Sequence, residues 1–492
     1  MNYRVISKYL GFFTGAIGLL MLPPMLWAMY YSEWSAFQGF LLSLIVTALI
    51  AGLLIKLGAT ASTKMFQREA LLMVTSSWFV AAIIGAIPFV FTGSLTPIDA
   101  FFESMSGFTT TGSTVIIDIE SQAKSLLFWR SFTQWIGGVG IVVLAVAVLP
   151  YLGAGGKQLY KTESTGTDPR GITPRIKDTA SMLYKTYLAL TILMTVLLIM
   201  AGMTFYDAIC HTLSTLSSGG FSTKQLSIGA YNSVAIEWIV IFFMIVAGTS
   251  LSLIFMMFAK DLKAPFKDAE WRTFIGIMLG AIVVIFINLM WGTHFENDIA
   301  AEKGYGFSES LRNTSFQVVS ILTGTGFGTD DYDQWPHFSR MVLFVCMFLG
   351  GCAGSTAGGI KMVRIHILSK MAFWRIENTF NPKTVRAVRI NDYVIDDDTR
   401  KSVNTFFVLY IGCFAFGAIF MSMLGLPFES AMASVAATLN NIGPGFDMVG
   451  PSQNYSQVPV LGKLFLSLCM AMGRLELFCI CVLFVPDFWR HR

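Results

Sequence analysis

The stretch SILTGTGFGTDDYD, residues 320–333, decides the fold because related stretches recur along the chain. Glycines occupy alternate positions in its middle, and three aspartates follow. The related stretches are SGFTTTGST at 106–114, STLSSGGFST at 214–223 and ATLNNIGPGF at 437–446. Aligned without gaps, the four stretches share one glycine column, which contains Gly112, Gly220, Gly326 and Gly443.

The column glycines are 108, 106 and 117 residues apart, so the chain divides into four units of about 107 residues after a leader of about 65. Before each glycine lies an amphipathic segment too short to cross a bilayer. Asp99 and Asp207 stand 13 residues before their glycines and Glu429 stands 14 before, whereas the third copy has Asn313 at 13. An acid in the first turn favours a helix start. Each unit therefore predicts a membrane helix, a half-length helix, an extended loop and a second membrane helix.

Composition indicates a membrane protein, since 54% of the 492 residues are hydrophobic and only 13% are charged. Apolar runs of about 20 residues recur, the length that crosses a bilayer core. The first run lacks a small-residue cleavage site and is followed at once by another, so we interpret both as anchors. With this leader hairpin we expect about ten spanning helices, the others at 69–92, 128–151, 180–203, 234–258, 272–292, 339–368, 403–425 and 459–486.

The predicted fold is an all-α polytopic membrane protein with four pseudo-symmetric repeats around one central pore. The boundaries follow from the repeat: a leader hairpin at 1–66 and repeats at 67–178, 179–270, 271–401 and 402–492. Lys and Arg concentrate in segments 153–178 and 364–401, which the positive-inside rule assigns to the cytoplasm together with both termini.

The glycines have a physical explanation in a pore. Irregular backbone at membrane depth is tolerated only where protein buries it or where it lines a watery cavity. Four such loops around an axis supply rings of carbonyl oxygens that replace the hydration shell of a cation. The predicted filter residues are Thr110, Thr111, Gly112, Ser218, Gly219, Gly220, Thr325, Gly326, Phe327, Asn441, Ile442 and Gly443. The predicted cation ligands are the carbonyls of Thr110, Thr111, Ser218, Gly219, Gly324, Thr325, Asn441 and Ile442.

Side chains around the loops have two predicted roles. The Thr, Ser and Asn neighbours either add side-chain oxygens to the pore or hydrogen-bond the loops from behind. Acids at the predicted mouth would concentrate cations, and these are Asp99, Glu103, Asp207, Asp330 and Asp331.

The segment GGCAGSTAGGIK, residues 350–361, interrupts a predicted membrane helix. It is not a Walker A loop, because Lys361 follows Gly359 by two residues and no Ser or Thr comes next. Its glycines make a poor helix, so it is either a packing notch or a moving part. Arg474 lies deep in another apolar run, with Glu476 two residues on; it either faces a watery interior or pairs with an acid that pins two helices.

The motifs TTTGST, SSGGFST, TGTGFGT, NNIGPGF, GGCAGSTAGGIK and GRLELF resemble the Trk/Ktr/HKT superfamily of potassium transporters over essentially the full chain. The leader hairpin is similar to the bacterial Trk branch. In plant relatives a serine at the first filter glycine accompanies sodium transport, so four glycines imply potassium. The first copy has a single glycine, which implies weaker discrimination than in potassium channels.

The resemblance also implies a gate and partners. The 350–361 segment would form an intramembrane gate below the filter, with Arg474 facing the pore. The gate residues would be Gly350, Gly351, Gly354, Ser355, Gly358, Gly359 and Lys361. The implied assembly is a homodimer in the lipid bilayer of the bacterial inner membrane, bound by an RCK-type nucleotide-binding regulatory subunit. No cofactor besides the transported K+ and no nucleic-acid partner is expected.

Two alternatives remain open. The first is a carrier of Na+ or of both Na+ and K+. The second is a membrane enzyme or haem-bearing electron carrier, which would need paired membrane histidines or a metal-ligand cluster. The five histidines are isolated from one another, and no cysteine pairs with them in a ligand motif, so an enzyme is not expected. We expect His211 to be a hydrogen-bonded structural residue.

Overall fold

Helices make up nearly all of the regular structure. The computed structural model describes residues 1–60, 66–152, 176–259, 261–291, 306–381, 389–391, 393–395, 397–475 and 477–490. Residues 153–175 of the predicted basic segment, residues 382–388 of the other one, and Glu476 lie outside these ranges.

The leader consists of α1 (Tyr3–Leu19), α2 (Leu22–Tyr30) and α3 (Trp34–Leu57). Prolines at the first turn of α2 suit a helix start, because the first-turn N–H groups have no intrahelical acceptor. Helix α1 packs along α3, and Gly11 permits the close approach, since a Cβ there would lie within 3.0 Å of Ile55.

The four units follow in chain order. The first contains α4 (Gln67–Phe91), α5 (Pro97–Phe108) and α6 (Lys124–Leu152); the second contains α7 (Ile176–Met200), α8 (Phe205–Leu216), α9 (Val234–Gly248) and α10 (Leu251–Ala259). The short α11 (Ala264–Lys267) leads to the third, which contains α12 (Ala269–Trp291), α13 (Phe307–Leu322), α14 (His337–Leu349), α15 (Met362–Phe380) and the antiparallel hairpin of β1 (Arg389–Ile390) and β2 (Tyr393–Val394). The fourth contains α16 (Asp397–Met423), α17 (Phe428–Leu439), α18 (Val460–Arg474), α19 (Phe478–Cys481) and α20 (Pro486–Trp489).

The short helices α5, α8, α13 and α17 are the predicted half-length helices. Thr96 and Thr204 cap α5 and α8 by accepting hydrogen bonds from the backbone N–H of Asp99 and Asp207. The third differs from expectation: α13 begins at Phe307 and carries Glu309 in its first turn. All four short helices therefore have an acid at the N-terminal end.

The units close into a ring through these short helices. Each one packs between the two long helices of its own unit, and it also contacts the second long helix of the unit before it. Thus α8 contacts α6, α13 contacts α9, α17 contacts α14, and α5 contacts α18 of the fourth unit. This cyclic order makes the fold a four-repeat ring around one axis.

Six helices in the described residues are long and apolar enough to cross a membrane, and two bent pairs raise the number to eight. The bends are 106° between α9 and α10 and 118° after α18. Spans at 234–258 and 459–486 were expected, and in the structure each of them is bent. At the first bend the Gly248 carbonyl is free to accept a hydrogen bond from the backbone N–H of Cys352, at 2.8 Å.

Candidate functional site: a ring of glycine loops

The four glycine loops, residues 109–114, 217–222, 323–328 and 440–445, each follow directly on a short helix. All four repeat one backbone pattern, in which two alternate residues have positive φ. The first of these residues are Thr110 (55°), Ser218 (55°), Gly324 (70°) and Asn441 (53°). The second are the column glycines Gly112 (85°), Gly220 (78°), Gly326 (76°) and Gly443 (102°).

The column glycines lie against carbonyl oxygens of the next loop. A Cβ on any of them would come within 3.0 Å of such an oxygen, closer than real side chains pack. In chain order the carbonyls belong to Gly219, Thr325, Ile442 and Thr111. Since the fourth loop contacts the first, these four predicted ligand residues form a closed ring. The other four predicted ligands, Thr110, Ser218, Gly324 and Asn441, stand one residue earlier in the same loops.

Some predicted ligand and filter carbonyls also accept bonds from protein donors. Gln134 Nε2 donates to the Gly219 carbonyl, and its Oε1 accepts from the backbone N–H of Phe221. Gly443 accepts from Tyr455 Oη at 2.8 Å. These bonds fix the second and fourth loops from outside the ring.

The hydroxyl side chains hold the loops from behind. Thr111 Oγ1 lies 2.8 Å from Thr109 Oγ1, and the Thr323–Thr325 pair repeats this distance in the third loop. Asn441 Nδ2 donates to Thr111 Oγ1 at 2.8 Å, which joins the fourth loop to the first. Of the two predicted side-chain roles, the structure supports bracing of the loops.

A buried ion pair braces the first and second loops. Arg130 Nε lies 2.7 Å from Glu103 Oε1, and both side chains are shielded from solvent. Glu103 also accepts from the Val115 N–H at 3.0 Å, and Arg130 Nη1 donates to the Ser222 carbonyl at 3.3 Å. Glu103 was predicted as one of the mouth acids that concentrate cations, and in the structure Arg130 offsets its charge in a buried pair.

Other predicted mouth acids also have local partners. Asp99 pairs with Lys463 at 2.6 Å, and Asp207 accepts from Thr223 Oγ1 at 2.7 Å. Asp330 accepts from Trp335 Nε1 at 2.9 Å, and Asp331 accepts from Gln334 Nε2 at 3.1 Å. The Asp99–Lys463 ion pair offsets one of these charges, whereas the hydrogen bonds to Asp207, Asp330 and Asp331 come from neutral groups and cancel none.

The 350–361 loop lies against three of the glycine loops. Thr356 Oγ1 is 2.9 Å from Ser218 Oγ and donates to the Leu216 carbonyl at 3.0 Å. A Cβ on Gly358 would collide with the Asn440 carbonyl, and one on Gly324 would lie 3.5 Å from the Gly358 nitrogen. The loop therefore meets the ring where the short helices end.

Positive φ angles shape the 350–361 loop. They occur at Gly350 (74°), Gly354 (73°), Gly359 (82°) and Lys361 (65°). Lys361 Nζ folds back to donate to the Ala357 carbonyl at 2.7 Å and to the Ser355 carbonyl at 3.3 Å. Gly351 accepts from the Met362 N–H at 2.9 Å. These contacts satisfy loop backbone that lipid could not.

Arg474 is the last residue of α18 and is buried. Its Nη1 donates to the Thr356 carbonyl at 2.6 Å, and its Nη2 donates to the Gly137 carbonyl at 2.9 Å. Among the described residues, which exclude Glu476, the hydrogen-bond acceptors of the guanidinium are these two carbonyls. The guanidinium thus ties the 350–361 loop to α6.

The cation transport protein family TrkH matches residues 36–491. The chain belongs to the TrkH family. The Trk system potassium uptake protein TrkH of Halomonas elongata is 36% identical over 494 residues and covers 100% of both chains. TrkH of Escherichia coli strain K12 is 36% identical over 495 residues with the same coverage, and TrkG of that strain is 36% identical over 99% of both chains. The crystal structure of the potassium transporter TrkH from Vibrio parahaemolyticus has a TM-score of 0.87, 34% identity and full coverage of both chains.

TrkH family membership confirms the resemblance predicted from the motifs and the all-α membrane fold. Family membership identifies the chain as a multi-pass transport protein of the bacterial inner membrane. The enzyme alternative is therefore excluded.

Sequence reasoning missed several residues of this TrkH site. Arg130 and Gln134 lie in the apolar run FWRSFTQW, 128–135, where a charge at membrane depth was the available signal. Lys463 and Tyr455 gave no comparable signal, because both stand near the predicted end of a span.

His211 is fully buried on α8. Its Nδ1 lies 2.8 Å from the Asp207 carbonyl, which can only accept, so Nδ1 carries the proton. Nε2 then accepts from Ser222 Oγ at 2.9 Å. Both imidazole nitrogens of His211 are thus engaged in hydrogen bonds, as expected of a structural residue.

Asp333 lies in the loop between α13 and α14 of the third unit and contacts the fourth. Its Oδ2 accepts from the Asp447 N–H at 3.0 Å, and its Oδ1 is 3.8 Å from Arg340 Nη2. Burial raises the pKa of the Asp333 carboxyl to about 7, although Arg340 acts in the opposite direction.

Proposed function

We propose that the chain takes up potassium ions across the inner membrane through the ring of four glycine loops. The observation that carries this proposal is the closed ring in which each column glycine lies against the carbonyl of the next loop. Four backbone carbonyls at one level are the ligands that dehydrated K+ needs. The relatives named above are potassium uptake proteins by description, which agrees with this ion.

The short helices support the same ion site electrostatically. Each ends directly before its glycine loop, so four helix C-termini converge on the inner side of the ring. The C-terminus of a helix carries about half a negative charge. Four such ends favour a cation at the inner entrance without requiring a carboxylate there.

Glycine at all four column positions favours K+ over the Na+ or mixed carrier. Each position combines positive φ with contact to a neighbouring carbonyl, so a serine would displace a ring oxygen. The repeat boundaries proposed for this pore are the leader at 1–66 and repeats at 67–178, 179–270, 271–401 and 402–492.

We propose that the 350–361 loop, with Arg474, is the gate. In support, Thr356 bonds directly to Ser218 of the second glycine loop, and Arg474 holds the Thr356 carbonyl. A loop in this place blocks the exit from the ring while these bonds persist. Moving it requires breaking neutral hydrogen bonds together with charge-assisted ones, among them the bond from Arg474 to the Thr356 carbonyl.

The proposed partners are a second copy of the chain and a cytoplasmic RCK-type nucleotide-binding subunit. The basic segments 153–178 and 364–401 support a cytoplasmic docking surface, and both termini are proposed to face the same side. Deletion of 153–178 should abolish the nucleotide response of the assembled complex, and an unchanged response would count against docking there.

Uptake of 86Rb+ into proteoliposomes against a potassium gradient tests the ion and the pore. We expect external K+ to block uptake and external Na+ to have little effect. Gly326→Ser should relax this selectivity, because its Cβ meets the Ile442 carbonyl at positive φ. The matched control is Gly328→Ser in the same loop, where the nearest atom is 4.0 Å away. Equal competition by Na+, or equal behaviour of the two variants, would refute the proposal.

Thr356→Val tests the gate. The substitution keeps the side-chain shape and removes the bonds to Ser218 and Leu216. We expect 86Rb+ flux of the chain alone to rise by a factor of about five, which corresponds to about 1 kcal/mol for a lost hydrogen bond. Unchanged flux would show that the loop does not limit conduction.

A further inference from the structure

The 350–361 loop is held on its other side by Glu270, the second residue of α12. Glu270 Oε1 accepts hydrogen bonds from the backbone N–H groups of Ala353, at 2.6 Å, and Val363, at 3.0 Å. One carboxylate oxygen therefore joins the middle of the loop to the first turn of α15. Bonds of this kind between a charged acceptor and backbone donors are stronger than neutral ones.

The β1–β2 hairpin packs against the same place. Its apolar residues share a small buried cluster with the loop and with α15 and α16. The members are Ala353, Val363, Ile367, Ile390, Ile395 and Val403. Ala353 thus donates its N–H to Glu270 and packs its methyl group with the hairpin.

The turn of the hairpin also holds the start of α12. Asn391, which has φ of 50°, accepts from the Ala269 N–H at 2.9 Å. Its Nδ2 donates to Asp268 Oδ2 at 3.0 Å. The two residues that Asn391 binds directly precede Glu270, so a displacement of the hairpin moves the carboxylate.

We infer that Glu270 is a positioning residue that holds the 350–361 loop beneath the glycine loops through its two hydrogen bonds, which we call the latch. We further infer that displacement of the β1–β2 hairpin opens this latch. The inference rests on the proposed role of the loop as a gate. A protein bound to the basic 364–401 segment would act on the hairpin, because the hairpin lies within that segment. Pulling the hairpin away separates Ile390 from Ala353 and shifts Glu270 from its two donors, so the loop is released.

The latch is tested by 86Rb+ flux through the chain alone in proteoliposomes. Glu270→Ala removes the acceptor, and flux should rise by a factor of about five, the effect of about one hydrogen bond. Glu270→Gln keeps an oxygen that can accept from both N–H groups, so its flux should stay close to that of the wild type. This rescue separates an acceptor role from a requirement for charge.

Glu69→Ala is the matched control. Glu69 also accepts from two backbone N–H groups, those of Asn2 at 3.1 Å and Phe66 at 3.2 Å, at the start of α4. It has no bond to the 350–361 loop in the structure. Its loss should leave the flux unchanged, and an equal rise in Glu69→Ala and Glu270→Ala would overturn the latch.

The outcomes separate this inference from the gate itself. If Thr356→Val raises flux and Glu270→Ala does not, the gate stands and the latch is wrong. If neither raises flux, the gate proposal fails and the latch fails with it. If Glu270→Ala does not purify as a monodisperse protein, Asn391→Ala is measured in its place. A rise of 86Rb+ flux by about twofold then supports the latch, and wild-type flux overturns it.

Discussion

Replacing Arg130 should destabilise the protein more than replacing Arg130 and Glu103 together. In the native structure the Glu103 carboxylate accepts from Arg130 Nε at 2.7 Å, from the Val115 N–H at 3.0 Å and from Thr114 Oγ1 at 3.0 Å. Arg130→Met leaves this carboxylate buried without its counter-charge. Breaking a buried ion pair in this way costs about 3–5 kcal/mol of folding free energy.

The same substitution also removes contacts to the second glycine loop. The guanidinium donates to the Ser222 carbonyl at 3.3 Å and lies 4.2 Å from the centre of the Phe221 ring. K+ selectivity should therefore weaken together with stability, because two neighbouring loops lose their common brace. The combined variant Glu103→Gln/Arg130→Met carries no buried charge, so its free energy of unfolding should lie closer to the wild type than that of Arg130→Met.

Denaturant unfolding in mixed micelles measures these free energies, and the two single variants with the double variant complete a mutant cycle. Lys224→Gln is the control, since its pair with Glu120 is solvent-exposed at 3.8 Å and is expected to contribute less than about 1 kcal/mol. The reasoning is refuted if Arg130→Met costs no more than Lys224→Gln, or if the double variant is less stable than Arg130→Met.

Three further predictions concern the glycine loops and Asp333. Gly220→Ala should relax K+ over Na+ selectivity in the competition assay, because its Cβ would collide with the Thr325 carbonyl; Gly93→Ala has similar φ, 72°, with open space around it and should keep the wild-type selectivity. Gln134→Met should relax K+ over Na+ selectivity in the competition assay, because the second loop loses both bonds that fix it from behind. The raised pKa of Asp333 means that the folded state binds the proton more tightly than the unfolded state, so this stabilisation is full below about pH 4 and is lost as pH rises through about 7. Asp333→Asn should flatten the dependence of the melting temperature on pH between 5 and 8, and an unchanged slope would assign that dependence to other groups.

The glycine ring was predictable because its signal is local in sequence. Positive φ favours glycine, and four copies at near-equal spacing place Gly112, Gly220, Gly326 and Gly443 in one column of the sequence. Which carbonyl each glycine contacts was not predictable, because every residue has a backbone carbonyl and the sequence does not distinguish one from another. The closed order of the ring had to come from the packing of the short helices.

The braces and bends were harder to predict for a different reason. Glu103 and Arg130 are 27 residues apart, and nothing in either residue's neighbourhood indicates the pairing. The bend after Gly248 occurs in a run that is apolar on both sides, so hydropathy alone predicts one continuous span. At the bend the Gly248 carbonyl accepts a hydrogen bond from the Cys352 N–H of the 350–361 loop, a contact between two units that the sequence does not signal.

The four units keep the backbone of the loops alike and let the supporting side chains differ. Paired threonine hydroxyls brace the first and third loops, Gln134 braces the second, and Asn441 braces the fourth through Thr111 and the Met470 carbonyl. A ring of carbonyls requires equal backbone geometry from every unit, because the ion contacts all four at once. The side chains that support the loops are under no such requirement. The differences between units therefore lie in the surroundings of the ring, and the largest of them is the 350–361 loop, which the third unit alone supplies.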